Sequence, residues 1–377
     1  MRKLICKLLR RTVAFAVFFG ISRGNAVYNN TMRKVLFTGG GSAGHTVPNL
    51  AIIEELLRYG DTETCYIGTD GIEKELVKDW KIPYYTIECP KLVRSLSAWK
   101  QNLKIPVAFL RAVKQAKAGL RLFQPDIVFS KGGYVALPVV FAAKSLKIPC
   151  IAHESDYSPG LANRISARRC ETVFTSFPET AKKLRHGKYS GAPLRRALLT
   201  ASKTQSRRNL GIPQNANVLL VFGGGSGSRA VNNAIFEHLK TLTKRYFILH
   251  VCGKGNLPAY EPENYRAFEY HPAIGELYAA ADCLVSRAGA GAVFEAIALK
   301  KPTLFIPLEG PTRGDQLQNA KYFADKGLCR ILRQRDLANL PQAIDTLFAD
   351  KALKNRLLQS DFHAGNAVIL NVLRGEQ

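Results

Sequence analysis

The chain has few acidic residues, no paired cysteine motif and no long apolar run. Asp and Glu number 29 against 54 Lys and Arg, a formal net charge of +25 over 377 residues. The eight cysteines are scattered and include no Cys-x-x-Cys pair, which argues against a zinc site or a disulfide framework and indicates reduced core thiols. No apolar run reaches the roughly 20 residues that a membrane-spanning helix needs.

The rest of the composition is that of an ordinary globular protein. Hydrophobic residues make up 46% and charged residues 22%, and no low-complexity run suggests wholesale disorder. At roughly 100–200 residues per domain, the length predicts two domains. The positive charge favours nucleic acid, anionic lipid or phosphorylated small molecules as partners and does not choose among them.

The first 31 residues are basic and contain no acid. Val13 to Ile21 is a short apolar stretch behind Arg10 and Arg11, as in a signal peptide. Met32 stands directly before a basic lead into an apolar strand. We therefore interpret residues 1–31 as an extension from an upstream start.

A strand, a glycine loop and a helix follow this extension. Val35 to Thr38 is predicted as the strand and Val47 to Arg58 as the helix, with Gly-Gly-Gly-Ser-Ala-Gly-His between them. Glycines let a backbone approach a ligand closely, and a helix N-terminus offers unpaired amides to an anion. The glycine spacing also fits a dinucleotide-binding loop, a weak signal by itself. Further strands are predicted at Thr64–Gly68, Ile127–Ser130, Cys150–His153 and Thr172–Thr175.

The same order recurs after a polar, basic segment, Ala201–Asn209, which we interpret as a linker. Val218 to Phe222 is predicted as a strand, Gly223 to Ser228 as a glycine loop and Ala230 to Lys240 as a helix. Strands alternating with helices in both halves predict an α/β protein of two doubly wound parallel sheets, with ligands between their carboxyl edges. Later strands are predicted at Phe247–Cys252, Cys283–Ser286 and Thr303–Ile306, and helices at Ile274–Ala281, Gly291–Leu299 and Gln316–Asp325.

Two further segments carry chemistry. Ser286 to Glu295 places small residues beside a helix N-terminus, where a diphosphate can bind while Glu295 accepts the hydroxyls of a ribose. Pro307 to Asn319 places a cation and amide side chains at a helix start. Each also has a purely structural interpretation, as a tight turn with Glu295 near the helix dipole or as an Asp315 N-cap.

Five motifs in this order resemble the MurG family, the UDP-N-acetylglucosamine-dependent glycosyltransferases of peptidoglycan synthesis. They are Thr38–His45, His153-Glu154-Ser155-Asp156 with Pro159–Asn163, the second glycine loop, Ser286–Glu295 and Arg313–Asn319. The resemblance runs from about Met32 to near the C-terminus. It implies a GT-B fold with an acceptor-binding and membrane-binding domain over residues 32–195 and a UDP-sugar domain over 196–350. Residues 351–377 are then a C-terminal helix that returns to the first domain.

The resemblance also implies a reaction and its residues. N-acetylglucosamine moves from UDP-N-acetylglucosamine to the 4-hydroxyl of the muramyl sugar of lipid I, with inversion, and lipid II forms. The donor-binding residues implied are Ala290, Gly291, Ala292, Val293 and Phe294 along the nucleotide, Glu295 on the ribose, Gln316 on the donor sugar, Arg195 at the interdomain junction, and Ser42, Ala43 and Gly44 toward the diphosphates. Other cell-wall synthesis proteins are expected partners.

The sequence departs from the family pattern at two positions. Gly225 occupies the usual serine position of the second glycine loop, and Ser226 follows one step later. Asp156 stands where some members have asparagine, so a neutral donor contact is here an acid.

Departure of UDP leaves negative charge on the diphosphate, which loop amides, helix N-termini and Arg195 can neutralise. The sequence contains no Asp-x-Asp pair that would suggest a metal, and we expect no cofactor. His45 is our candidate base for the attacking hydroxyl, because imidazole titrates near neutrality. Its alternative role is to bind the acceptor diphosphate or cap the turn, and Glu154 and Asp156 are rival bases.

The segment between Glu88 and Asp126 contains no acid and interleaves basic with apolar residues. Such a segment suits reversible docking on an anionic leaflet. We expect a peripheral protein on the cytoplasmic face of the plasma or inner membrane. The alternative is an ordinary surface helix with its apolar side in the core.

Three other functions remain open from the sequence. A related GT-B enzyme that glycosylates diacylglycerol would have a similar donor site. A nicotinamide-dependent oxidoreductase would explain the first glycine loop but not the second. A nucleic-acid-binding protein would explain the charge, but no helix-turn-helix or stacked-aromatic basic motif supports it, so we expect no nucleic-acid partner.

Overall fold

Two parallel β-sheets organise residues 32–90, 105–309, 314–362 and 364–376, the part of the chain that the computed structural model describes. The predicted extension 1–31, residues 91–104 of the acid-free segment, and Arg313 lie outside the described residues. Within Arg33–Gln377, which forms one compact unit, each sheet has its own hydrophobic layers.

The first sheet has the strand order β3-β2-β1-β4-β5-β6-β7. Its central strands read as short apolar runs because helices cover both faces, as is usual for parallel sheets; Val35, Leu36 and Phe37 of β1 are fully buried. The strands are β1 (Arg33–Thr38), β2 (Thr62–Gly68), β3 (Tyr84–Thr86), β4 (Ile127–Ser130), β5 (Cys150–Glu154), β6 (Thr172–Thr175) and β7 (Gly187–Tyr189). The helices are α1 (Ala43–Tyr59), α2 (Ile72–Lys78), α3 (Ile105–Phe123), α4 (Ala136–Ser145), α5 (Leu161–Ser166) and α6 (Pro178–Lys183).

The second sheet has the order β10-β9-β8-β11-β12-β13. Its strands are β8 (Val218–Phe222), β9 (Phe247–Val251), β10 (Tyr265–Phe268), β11 (Cys283–Ser286), β12 (Thr303–Phe305) and β13 (Arg330–Ile331). The helices from residue 196 onward are α7 (Arg196–Thr200), α8 (Lys203–Asn209), α9 (Arg229–Glu237), α10 (Leu239–Leu242), α11 (Ile274–Ala280), α12 (Ala290–Ala298), α13 (Asp315–Ala324), α14 (Leu340–Ala349), α15 (Lys351–Gln359) and α16 (Asn366–Arg374), with a 3₁₀ helix at Gln334–Asn339.

The strand order reverses once in each sheet, at the strand that comes first in the chain, and a glycine loop follows that strand. In the first sheet β1 lies between β2 and β4, and Thr38 pairs with Ser130. In the second sheet β8 lies between β9 and β11, and Phe222 pairs with Ser286. In open α/β sheets ligands bind beyond the carboxyl ends of the strands at this position. The two doubly wound sheets predicted from the sequence are therefore present, with their switch points at the glycine loops.

The interpretation of Ala201–Asn209 as a linker is wrong, because most of the segment is a helix packed against the second domain. This helix is α8, and Arg207 within it is 2% exposed. The Arg207 guanidinium donates to the Ala280 carbonyl at 3.0 Å and pairs with Asp282 at 2.7 Å. A basic composition indicates a solvated segment only when the charges lack buried partners, and here α11 and the residue before β11 supply them.

The C-terminal region forms two helices that pack on different domains. Leu353 and Leu357 of α15 belong to the core of the second domain. Ile369 and Leu373 of α16 are fully buried against the helices and strands of the first. The chain therefore crosses back to the first domain only in its last helix.

Candidate active site

The first glycine loop runs directly into α1. The helix begins at Ala43, so that Ala43, Gly44 and His45 form its first turn rather than preceding it. Ser42 at the N-cap is extended and makes no side-chain capping bond, and both Ser42 and Gly44 are exposed. The uncapped amides of this turn can therefore receive an anion.

A buried carboxylate supports this loop from below. Glu73 on α2 is fully buried and accepts hydrogen bonds from the Gly41 amide at 3.1 Å and the Thr69 amide at 2.9 Å. A Cβ atom on Gly40 would lie 2.5 Å from this carboxylate. Sequence reasoning missed Glu73, because a single acid on an amphipathic helix gives no signal of the loop it touches 32 residues away.

The second glycine loop faces the first. A Cβ atom added to Gly225 would lie 3.8 Å from the Cβ of Ala43, at the start of α1. Gly225 and the neighbouring Ser226 are exposed. The two loops, 182 positions apart in sequence (225 − 43), therefore border one cleft between the domains.

Arg287 anchors the helix that follows the second loop. Its side chain is 7% exposed, and its Nε donates to the Oγ of Ser228 at 2.9 Å, the N-cap of α9. Its Nη1 donates to the carbonyls of Ile306 and Pro307, both at 3.1 Å. Burial lowers the pKa of this guanidinium. Arg287 thus ties α9 to the end of β12 and does not point into the cleft.

The start of α12 offers another uncapped set of amides. Its N-cap, Gly289, has no side chain, and Gly291 is exposed at the cleft. Val293 and Phe294, both expected along the nucleotide, are 0% and 1% exposed and belong to the core of the second domain. Phe294 still contributes to the lining of the cleft, whereas Val293 is not among the lining residues. Ala290 and Ala292, each small, complete the turn.

Glu295 sits one turn into α12 between a cation and a phenol. Oε1 of Glu295 lies 3.5 Å from Nη2 of Arg195, and the Tyr278 hydroxyl donates to Oε2 at 2.8 Å. Burial, followed by the nearby Glu295 charge, raises the pKa of Tyr278, which keeps it a hydrogen-bond donor. The structure therefore brings together Arg195 and Glu295, which the sequence separates by 100 positions (295 − 195).

Glu154 is engaged with its own loop. It is 4% exposed and accepts from the Asp156 amide at 2.9 Å, the Gly160 amide at 2.8 Å and Nδ2 of Asn163 at 2.9 Å. Burial raises its pKa, with Asp156 adding to the shift. With both oxygens bonded internally, Glu154 shapes the loop after β5 and is a poor candidate for a base.

Asp156 lies at the seam between the domains. Its Oδ1 accepts from Nδ2 of Asn319 at 3.0 Å, and Oδ1 of Asn319 accepts from the Tyr157 amide at 2.9 Å. Gln316, on the same helix as Asn319, accepts from the Leu308 amide at 2.9 Å and so orders the loop that precedes α13. The first turns of α13 thus meet the loop after β5.

No group of three or more His, Cys, Asp or Glu side chains is arranged as metal ligands within the described ranges. In the same ranges, no helix is long and apolar enough to cross a bilayer.

Comparison with known proteins assigns this cleft to a family. The glycosyltransferase family 28 N-terminal domain matches residues 35–175, and the family 28 C-terminal domain matches residues 218–367. The UDP-N-acetylglucosamine–N-acetylmuramyl-(pentapeptide) pyrophosphoryl-undecaprenol N-acetylglucosamine transferase of Clostridium kluyveri is 44% identical over 313 residues, which covers 81% of this chain and 88% of the relative. The enzyme of the same name from Shouchella clausii is 44% identical over 326 residues, covering 84% and 91%. The crystal structure of Acinetobacter baumannii MurG superposes with a TM-score of 0.71 at 26% identity, over 91% of this chain and 99% of that one.

The chain belongs to the MurG family. Its predicted GT-B fold is thereby confirmed, and so is its class, a UDP-N-acetylglucosamine-dependent glycosyltransferase. The oxidoreductase and nucleic-acid-binding alternatives fall with this assignment. The roles of the individual site residues in MurG chemistry remain predictions for this chain.

Proposed function

We propose that this MurG family member transfers N-acetylglucosamine from UDP-N-acetylglucosamine to the 4-hydroxyl of the muramyl sugar of lipid I, with inversion, to form lipid II. The observation that carries the proposal is the approach of Gly225 to Ala43, at 3.8 Å from an added Cβ. The uncapped start of α1 and the second glycine loop, which come from different domains, then act on one diphosphate. A single dinucleotide-binding loop would supply only one of these two anion-binding elements.

The donor half of the site combines three sources of positive potential. The start of α12 and Arg195 line one cleft together with Gly44 of α1, and the second glycine loop approaches the start of α1 at Ala43. As the bond between the sugar and UDP breaks, negative charge grows on the diphosphate, and fixed dipoles and a guanidinium stabilise it without moving a proton. Glu295 accepts the ribose hydroxyls, and Gln316 contacts the donor sugar.

On the acceptor side, His45 removes the proton from the attacking hydroxyl. It occupies the first turn of α1, beside exposed Gly44, and a Cβ atom on Gly133, in the loop after β4, would lie 3.0 Å from Cδ2 of its ring. Of its two rivals, Glu154 has both oxygens bonded within its own loop. Asp156 is held by Asn319 across the domain seam. Ser42, Ala43 and Gly44 bring amides toward the diphosphates.

Transfer of labelled N-acetylglucosamine tests the proposal. Purified protein is offered lipid I and diacylglycerol in parallel, with and without a metal chelator. We expect label in lipid I alone and no loss with chelator. Label in diacylglycerol, or none in either lipid, contradicts the proposal.

We also propose that the protein docks peripherally on the cytoplasmic, anionic face of the membrane through α3. Three apolar side chains on this helix are largely exposed: Val107 at 67%, Leu110 at 68% and Leu122 at 73%. The opposite face, which includes Ala112, Ala116 and Leu120, is fully buried. The exposed apolar residues alternate with exposed Arg111, Lys114 and Arg121. An amphipathic helix with apolar and basic residues on its outer face suits an anionic bilayer surface.

A further inference from the structure

A buried lysine lies at the switch point of the first sheet. Lys131 directly follows β4, and its amide donates to the Thr38 carbonyl at the end of β1 at 2.9 Å. A Cβ atom on Gly39, the first residue of the glycine loop, would lie 3.0 Å from the Cβ of Lys131. The lysine is therefore at the position where open α/β sheets bind ligands, yet it is only 1% exposed.

The two carboxylates whose charges act on Lys131 each have other donors. Glu154 is bonded to donors of its own loop, and Asp156 accepts from Asn319. Burial lowers the pKa of Lys131 to about 8, with Glu154 and Asp156 opposing the shift. Burying an ammonium group is costly unless its charge is paired or used. A lysine at this edge of the sheet therefore indicates an anion nearby during the reaction.

The contact of Lys131 shows how its charge reaches the cleft. Its Nζ donates a hydrogen bond to the Oγ of Ser155. An ammonium group only donates, so the serine oxygen accepts and its own hydrogen is directed elsewhere. Ser155 lines the cleft together with Gly44 of the first domain and Gly291 of the second. Its hydroxyl is thus a donor on the wall opposite the start of α12.

We propose that Ser155 donates a hydrogen bond to a phosphate oxygen of the diphosphate in the cleft and that Lys131 is the positioning residue that orients and polarises it. This inference rests on the proposed function, because both substrates of that reaction carry a diphosphate. The shared ligand chemistry is an anionic phosphate oxygen, and it belongs either to the sugar nucleotide or to the lipid acceptor.

The test compares Ser155→Ala, Ser155→Thr and Lys131→Met with the wild type. Calorimetry gives the Kd for UDP, and kinetics give kcat and the KM for each substrate. We expect Ser155→Ala and Lys131→Met each to weaken one of these binding constants about tenfold, with Ser155→Thr close to wild type because it retains the hydroxyl. The double variant should be no worse than either single variant, because the two side chains act as one unit.

Lys301→Met is the matched control. Lys301 is another lysine whose pKa burial lowers to about 8, and its Nζ donates to the Ala281 carbonyl at 2.6 Å. It precedes β12, at the amino-terminal edge of the second sheet and away from the cleft. Loss of this partly buried lysine should lower stability and leave the Kd and both KM values unchanged.

The outcomes separate the two diphosphates and the two proposals. A weaker Kd for UDP assigns the contact to the sugar nucleotide, and a raised KM for lipid I alone assigns it to the acceptor. Ser155→Ala with wild-type constants overturns the inference, as does an additive double variant. If Lys131→Met fails to fold, the comparison of Ser155→Ala with Ser155→Thr decides whether the inference holds. A wild type that binds UDP but transfers nothing to lipid I contradicts the proposed function and leaves the UDP measurement interpretable.

Discussion

Nδ2 of Asn319 donates a 3.0 Å hydrogen bond to Oδ1 of Asp156, joining the start of α13 in the second domain to the loop after β5 in the first. The same amide side chain accepts from the Tyr157 backbone at 2.9 Å. One asparagine therefore joins the two domains through two hydrogen bonds. The contact also explains how an acid is accommodated at position 156, because a carboxylate oxygen can accept the hydrogen bond from Asn319 just as an amide oxygen can.

Replacing Asp156 by asparagine should have little effect on turnover. The new amide side chain would retain an oxygen for Asn319, so we expect kcat within about fivefold of wild type, whereas Asp156→Ala removes the acceptor and should cost about tenfold. Steady-state kinetics with both substrates saturating measure this. A loss of about 100-fold or more in Asp156→Asn alone would instead make Asp156 the base.

Replacing His45 by alanine should reduce kcat by about 100- to 10,000-fold, the usual contribution of a general base. The Kd for UDP should stay within about twofold of wild type, because the helix-start amides beside His45 remain in place. Single-turnover rates and calorimetry on the same preparation separate the two effects. Unchanged turnover, or equal losses in rate and in UDP affinity, would remove the base assignment.

Replacing Glu295 by alanine should weaken UDP binding about 10- to 100-fold, in line with ~1.5–3 kcal/mol for hydrogen bonds to a charged group. The matched control is Tyr278→Phe, which removes the 2.8 Å bond to Glu295 but keeps the carboxylate, and it should bind UDP nearly as well as wild type. Calorimetry with 2′,3′-dideoxy-UDP identifies the contact, since wild type and Glu295→Ala should bind this analogue equally. A remaining difference would place Glu295 on another part of the nucleotide.

Reversing two charges on α3, Arg111→Glu with Lys114→Glu, should weaken binding to vesicles that contain phosphatidylglycerol. At about 1 kcal/mol per basic residue near an anionic surface, loss of two such attractions corresponds to at least about 30-fold. The control is Lys240→Glu with Lys244→Glu, an equal change in net charge on exposed residues of the second domain. Co-sedimentation measures both variants. Equal losses would show that overall charge, and not α3, binds the membrane.

Acid should destabilise the protein through buried histidine. His250 lies between the Tyr265 hydroxyl at 2.9 Å and Oδ1 of Asn232 at 3.1 Å, and burial lowers its pKa to about 3. The unfolded chain takes up this proton near pH 6.5. The stabilisation is therefore complete above about pH 6.5 and is lost as the pH falls toward 3, by up to about 1.4 kcal/mol per unit. His153, whose pKa burial also lowers, adds a similar dependence.

Urea unfolding between about pH 6.5 and pH 5 checks this dependence, in a range above the ordinary pKa values of Asp and Glu. His250→Gln should be less stable than wild type at pH 7 but should lose about half of the acid sensitivity, with His153 supplying the rest. An unchanged slope in His250→Gln would show that His250 is protonated in the folded state.

The sequence by itself determined the elements and the chemistry of the loops. Apolar runs such as Val218–Phe222 are strands in the structure with the predicted bounds, because burial on both faces of a parallel sheet leaves a local signal. The glycine loops were also local, and their order along the chain carried the family resemblance. What the resemblance implied for each site residue came from motif positions, without geometry.

Only the tertiary structure decided which residues meet. It set Gly225 against Ala43, put Glu73 beneath the first glycine loop and joined Lys131 to Ser155. These contacts lie between elements distant in sequence, and no periodicity along the chain records them. The same reason explains the error over the linker, because Arg207 reads as a solvated charge until Asp282 is packed beside it. Partners supplied by folding, and not the residue types themselves, decide whether a side chain stabilises the domain or faces the substrate.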